Sequence, residues 1–447
     1  MTSVKIRTSW TDENVIVEGV RIYKSNQEFD VNSKPAPLVE IRDGAEFYED
    51  FNVVEGLTYF YMLSCFLSEQ EVFTECYEVK AISELWLSGL DFTSYAAGRL
   101  STYQNENLVD SSIPIPGLSS SYYNYAGGVL APNGKIYFVP RNAPKILTLD
   151  TVTEARTLSN LGLADFATAS AKWWGGVLAP NGKIYCIPYD ATNILVIDPE
   201  ANTAYTTTMG VSLSGLGKWK GAVLGADGKI YCVPFNSSDV LIIDPSNDTA
   251  TLSNFGLSLN DTWKFSGGVL APNGKIYCAP LRSTSILIID TINNVAVRTG
   301  SFSGDSKWSS GVLGSDGKVY FSPIAATDVL VVDPSTDTGE RKTFLSLATG
   351  SKFEGFVMGA NGRMYSVPAY RWQSISINTL SQTAALQTIN FYSTTYSENW
   401  LGGVLAPNGR IYCAPSKNPS ILVLSNVNLG ANPPSLKFCL SPHINKF

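Results

Sequence analysis

Short runs of small and apolar residues, each cut by an Asn-Gly or Asp-Gly pair and answered by an alternating run, return along most of this chain. The first copy reads Gly127-Gly-Val-Leu-Ala-Pro-Asn-Gly-Lys-Ile-Tyr-Phe-Val-Pro140. Further copies occupy 175–188, 221–234, 267–280, 310–323, 355–368 and 402–415, and the turn glycines from Gly134 to Gly409 lie 43 to 48 residues apart. Asn-Gly between two apolar runs is the strongest short hairpin signal, because the tight turn needs positive φ. The return run alternates, as in Lys183-Ile-Tyr-Cys-Ile-Pro188, and its proline ends the strand by withholding a ladder donor. A third run such as Ile194-Leu-Val-Ile-Asp198 follows, then a turn and a Thr-rich fourth run. Four strands per period of about 45 residues make one propeller blade, so 107–425 is predicted to be a seven-bladed all-β propeller. Period-2 patterning without helical spacing excludes a helical solenoid.

The ring is expected to close by a clasp. After the last third strand, Ile421-Leu-Val-Leu424, no fourth strand arrives, whereas 107–113 stands alone before the first copy. That segment would complete blade seven and remove an exposed edge. The glycine pair opening most copies suits an innermost strand, where seven backbones crowd an axial channel. Residues 1–82 carry no repeat, but short alternating strands are read around Ser9-Trp10 and at 20–24, 48–50 and 57–64. Residues 83–106 read as a connector and 426–447 as a tail.

Composition narrows the function. The chain has 447 residues and a formal net charge of −7, which argues against a general nucleic-acid binder. No apolar run approaches the roughly 18 residues that cross a bilayer. The start, Met1-Thr-Ser-Val-Lys-Ile-Arg7, has no apolar leader core, so synthesis and folding in a cytoplasm are expected. The single histidine is His443, which removes a His-based triad or a multi-histidine metal site. No phosphate loop, CxxC pair or cofactor motif occurs, so neither catalytic residues nor a cofactor nor a metal are expected. Cys186, Cys232, Cys278 and Cys413 share one repeat position with Phe138, Phe321 and Ser366, which marks packed, reduced thiols. Cys65 and Cys76 flank a hairpin and are expected reduced, though they could pair across it.

Three further rings follow from the repeat. Asp150, Asp198, Asp244, Asp290 and Asp333 end third strands beside the turn cations, where turn capping and ion pairing account for them. Tyr125, Trp173, Trp219, Phe265, Trp308, Phe353 and Trp400 begin the inner strands and read as wedges between blades. One residue earlier stand Asn124, Lys172, Lys218, Lys264, Lys307, Lys352 and Asn399. They are expected to circle the channel mouth, either as a solvated rim or as a basic platform for an anionic glycan or acidic partner. The same face carries loops that differ between copies, with Tyr189, Phe235, Tyr370, Arg371 and Trp372 as candidate contacts.

The string Leu-Ala-Pro-Asn-Gly-Lys-Ile-Tyr-Cys-x-Pro with Ile-Leu-x-Ile-Asp-Pro resembles propeller repeats of bacteriophage and virus-encoded structural proteins. It differs from WD40 repeats, which need His, and from kelch repeats, whose glycine pair lies elsewhere. Residues 1–82 resemble a fibronectin type III sandwich, with Trp10 in its core and Tyr59 or Tyr61 near a tyrosine corner. Together these resemblances imply a non-enzymatic virion protein of a tailed phage: tail, collar, baseplate or capsid surface. They further imply docking to other virion proteins through 1–82 and 426–447, a symmetric homo-oligomer, and a propeller facing neighbouring subunits or a host-surface glycan or protein. A cellular propeller scaffold is the alternative. An enzyme such as a lactonase, lyase or glycan hydrolase would need carboxylates converging on the channel mouth; Asp190, Asp239, Asp328 and Glu354 are scattered candidates.

Overall fold

The computed structural model describes strands and short segments within 6–80, then 108–426 apart from 121, 167–170 and 395–397. The chain divides into two compact units, 1–91 and 92–447. In the first, β1 (Ile6–Ser9) pairs with β4 (Phe47–Asp50). A second sheet runs β3 (Val39–Ile41), β2 (Gly19–Ser25), β5 (Thr58–Leu67), β6 (Gln70–Phe73), and β7 (Tyr77–Lys80) also pairs with β5. Tyr61 is buried there, and Cys65 stands opposite Val72. Trp10, Cys76 and His443 lie outside the described residues, as do 83–106 and 427–447.

The second unit is a seven-bladed propeller. Blade 1 runs outward from the axis as β9 (Tyr125–Leu130), β10 (Lys135–Pro140), β11 (Ile146–Asp150) and β12 (Arg156–Ser159). Blades 2 to 6 repeat this order, with inner strands Trp173–Leu178, Trp219–Leu224, Phe265–Leu270, Trp308–Leu313 and Phe356–Met358. Blade 7 begins at Trp400–Leu405 and takes its outermost strand from β8 (Leu108–Pro114), which pairs antiparallel with Ser420–Asn426 from Ser420↔Pro114 to Asn426↔Leu108. The clasp therefore forms as the repeat arithmetic expects.

The second strands are buried along their whole length, and alternation sends their side chains into two different cores. In Ile184–Pro188, Ile184 and Cys186 face blade 1, while Tyr185 and Ile187 face blade 3. Seven such interblade cores circle the axis, and each contains one aromatic wedge, Tyr125, Trp173, Trp219, Phe265, Trp308, Phe353 or Trp400. The wedge indoles of Trp173, Trp219, Trp308 and Trp400 donate to the carbonyls of Asn193, Asp239, Asp328 and Ser420, twenty residues on. Cys186, Cys232, Cys278 and Cys413 are free thiols fully inside these cores.

The glycine pair has two distinct causes. Gly267 has φ of 74° inside an inner-strand bulge, and a Cβ there would lie 2.5 Å from Ser310 of the next blade. The second glycine, as at Gly176, sits where a Cβ would meet Val129 and Val139 of the preceding blade at 3.1 Å. At the opposite face the third-strand aspartates cap their turns: Asp150 accepts from the Val152 and Thr153 amides, and Asp290 from those of Ile292 and Asn293. The hairpin asparagines tie blades together there, since Asn181 donates both to Tyr185 Oη and to the Pro245 carbonyl of the next blade.

Candidate functional site: the loop face

Each blade sends its second-to-third-strand loop, and the crossover from its fourth strand to the next inner strand, to one face. The ring of five lysines and two asparagines lies on this face, but below its surface. Lys172, Lys218, Lys264, Lys307, Lys352, Asn124 and Asn399 are all buried, Lys264 and Asn399 completely. This corrects the solvated rim and the basic platform expected from sequence. Lys218 Nζ donates to the carbonyls of Tyr189 and Gly215 at 3.0 and 2.9 Å. Lys264 reaches Phe235 and Asp261 at 3.2 and 2.6 Å, and Lys307 reaches Leu281 and Gly304 at 3.1 and 2.8 Å. Lys352 donates to the Gly350 carbonyl. Asn124 does the same work for blade 1, donating to the Ser416 and Ser119 carbonyls, both at 2.7 Å.

The backbone explains why such residues belong there. The ring residue's N–H donates to the first loop residue of the preceding blade: Lys172 to Arg141, Lys218 to Tyr189, Lys264 to Phe235, Lys307 to Leu281, Asn399 to Ala369 and Asn124 to Ser416. Those loop residues donate in turn to their own blade's ring carbonyl, as Tyr189 does to Lys172 and Phe235 to Lys218. The result is a circumferential belt, and the long side chains satisfy the extra carbonyls that its turns leave inside. Burial lowers the pKa of each of the five lysines to about 8.

Sequence reasoning named Glu354 as a candidate carboxylate but overlooked the ring it belongs to, one residue after the wedges. Trp174, Lys220, Ser266, Glu354 and Leu401 follow the wedges and line the axial channel, where they bound a depression of about 300 Å³, open solvent at its mouth included. Lys220 of blade 3 and Glu354 of blade 6 form an ion pair of 2.8 Å across it, both nearly buried. Ser310 also lines this channel, and its buried hydroxyl has no hydrogen-bond partner.

Around the mouth, rings and cations stack in a continuous arc. Lys417 lies over Tyr123 at 4.3 Å, and Arg141 is held between Tyr123 and Trp174 at 4.6 and 4.3 Å. Trp174, Tyr189, Phe235 and Trp263 follow at ring separations of 5.3, 5.6 and 5.7 Å, and Arg282 covers Trp263 at 4.2 Å. Two ion pairs anchor the arc: Arg141 pairs with Glu398 at 2.9 Å, and Arg282 with Asp305 at 2.6 Å. Of the loop residues expected as contacts, Tyr189 and Phe235 lie within this arc, and Phe235 is buried. Tyr370 donates to Glu398, and burial followed by the charges of Glu398 and Glu354 raises its pKa. Arg371 reaches the Thr349 carbonyl, while Trp372 is 49% exposed. Glu354 lines the mouth and Glu398 holds Arg141 of the arc, so each is tied to a cation.

No protein-family model matches this chain, and no curated protein does. Solved structures do. Virginiamycin B lyase from Staphylococcus aureus aligns over 71% of this chain and 99% of its own, with a TM-score of 0.59 and 12% identity. A streptogramin B lyase aligns over 71% and 98%, with a TM-score of 0.58 and 14% identity. The extracellular domain of a B. thetaiotaomicron hybrid two-component system aligns over 72% and 43%, with a TM-score of 0.55 and 10% identity. The likeness shows the fold alone.

One asymmetry sets the two faces apart. Among the described propeller residues, the large aromatic side chains that stand well exposed are Tyr122, Trp263, Trp372 and Phe391, at 43 to 49%. All four lie in loop-face segments. The turn face and the outer strands expose aliphatic residues instead, among them Val152, Ile292, Val295 and Leu380.

Proposed function

We propose that this chain is a non-enzymatic recognition module whose propeller engages its target through the loop face. The observation that carries this is the confinement of exposed aromatic residues to that face, since rigid aromatic side chains supply much contact energy for little ordering cost. The ion-paired channel mouth supports a binding role over catalysis: an acid or base needs a carboxylate free to take a proton, and Glu354 and Glu398 are each committed to a cation. Lyase chemistry does not transfer on fold. A virginiamycin B lyase made catalytically inactive by a histidine-to-alanine change is among the similar structures. This chain has no histidine between 107 and 426.

The setting we propose is the particle of a tailed phage. The support is the resemblance of the repeat to virus-encoded propellers, and of 1–82 to a fibronectin type III module. The pairing of β1 with β4, and of β3, β2, β5 and β6 in a separate sheet, is compatible with such a sandwich docking to the particle. Cryo-electron microscopy of particles purified from the source tests both parts. Density for this chain with the loop face outward is expected. Recovery only as free protein would remove the virion setting, and a loop face packed against the particle would overturn the assignment of the recognition face.

A further inference from the structure

The ligand class follows from what the loop face lacks. With its lysine ring buried, that face offers no basic platform. Its remaining cations are engaged by the chain itself: Arg141 by Glu398, Arg282 by Asp305, Lys145 by Asp165, Arg371 by the Thr349 carbonyl and Lys417 by the Tyr123 ring. The loops are otherwise rich in Ser, Thr, Asn and Gly, as in Ser253–Gly256 and the run from Thr343 to Ser351.

The seven copies act as internal controls for two of the exposed rings. At the position of Trp372 the other blades carry Pro144, Thr192, Ser238, Thr284, Thr327 and Pro419. Nothing in the blade requires a tryptophan where Thr, Ser and Pro serve equally. At the position of Trp263, Gly217 and Ser306 stand in the neighbouring blades, and all three have left-handed backbones, with φ of 59°, 57° and 48°. The turn imposes that conformation, because the following lysine folds back onto the carbonyl three residues before it. A tryptophan there is strained where glycine would be relaxed, yet Trp263 is kept, 44% exposed, with Arg282 over its ring and Phe235 stacked beside it.

We propose that the loop face binds a neutral saccharide, with Trp372 as its platform. The proposal rests on the loop-face reading above and supplies its ligand. An exposed indole offers a flat apolar surface for the C–H face of a sugar ring, and neighbouring hydroxyl and amide side chains meet its hydroxyls. With the loop cations paired or covered, and with Asp190, Asp239, Asp261 and Asp328 on the same loops, the face has no electrostatic preference for an anion. A protein partner is less well matched: protein hot spots cluster at the middle of an interface. Here the middle is closed by Lys220 and Glu354, and the exposed rings stand apart on the rim.

The test is affinity electrophoresis of the full chain through gels containing dextran, mannan or galactan, with heparin as the anionic control, backed by tryptophan-fluorescence titration. Retardation by at least one neutral polysaccharide is expected, unchanged at 0.5 M NaCl, and weakened about tenfold or more in Trp372→Ser, whereas Trp263→Gly, which removes a ring already covered by Arg282, should weaken it far less. Thr, Ser and Pro fill the Trp372 position in the other blades, so Trp372→Ser should leave the melting temperature unchanged, which separates lost binding from lost folding. Absence of retardation by all three neutral polymers overturns the proposal. So does retardation by heparin alone that vanishes with salt, or neutral binding that Trp372→Ser does not weaken. If saccharide binding fails while particles display the loop face outward, the recognition face stands and only its ligand class falls.

Discussion

Lys264 Nζ donates to the carbonyl of Phe235, a residue of the preceding blade, at 3.2 Å, while its own N–H donates to the same oxygen at 3.0 Å. One carbonyl thus receives both ends of a fully buried lysine, and the same arrangement links Lys218 to Tyr189 and Lys307 to Leu281. The lysine ring is part of the seam between blades.

Replacing Lys264 with Met should therefore weaken the ring rather than any surface interaction. The Asp261 carbonyl loses its ammonium donor, and the Phe235 carbonyl keeps only the backbone one. A destabilisation of about 1–3 kcal/mol is expected from hydrogen bonds to a charged group. Chemical denaturation of the variant and the parent measures it. Asn at the same site should cost less, because Asn124 and Asn399 fill the equivalent positions by bonding loop carbonyls.

The same burial has a pH signature. The five ring lysines are held down at about 8 against an ordinary 10.5, by desolvation in each case; at Lys264, Asp261 opposes the shift and Arg298 adds to it. Between these values the unfolded chain binds more protons than the folded one. Their contribution to stability therefore grows as pH rises toward the ordinary lysine value and is lost as pH falls through about 8. Melting temperatures measured from about pH 7.5 to 8.5, below the range where unfolded thiols and tyrosines titrate and oppose the effect, should climb, and climb less steeply in Lys264→Met. A profile that is flat in both proteins would contradict this.

Across the channel, Lys220 and Glu354 make a different prediction. Lys220→Met alone strands a buried carboxylate and should cost about 3–5 kcal/mol. Lys220→Met combined with Glu354→Leu removes both charges and should recover most of that loss. Equal destabilisation by the single and double variants would mean that the pair does not act as a unit.

Removal of 108–114 should open blade 7. It exposes the Ser420–Asn426 edge and frees Ile113 from its core, and it also removes Asp110, which accepts from the Asn390 and Phe391 amides. A fall in melting temperature of at least about 5 °C is expected for a domain of this size. An unchanged melt would refute closure by this strand.

The four interblade thiols supply a chemical readout. Burial raises the pKa of Cys186, Cys232, Cys278 and Cys413, so they should resist alkylation in the folded protein and react on unfolding, as peptide mapping can show. Cys278→Ser should cost about 1–2 kcal/mol through an unpaired hydroxyl. Blade 6 tolerates Ser366 at this position because the Ile375 amide donates to its Oγ at 2.8 Å.

Blade number, strand order, the wedges, the packed thiols and the clasp were all legible in the chain. A seven-fold repeat states each local solution several times over, and period-2 alternation with Asn-Gly turns leaves little freedom of register. The depth of a side chain was not legible. Lys172 to Lys352 look like a surface ring in sequence, and only the belt of interblade hydrogen bonds shows why long cationic side chains are needed inside it. Nor could sequence pair Lys220 with Glu354, which stand 134 positions apart by numbering and face each other across the axis. Repetition determines the blade. The ring, by bringing distant copies to one channel mouth, decides which departures from the repeat meet one another and which are left facing solvent.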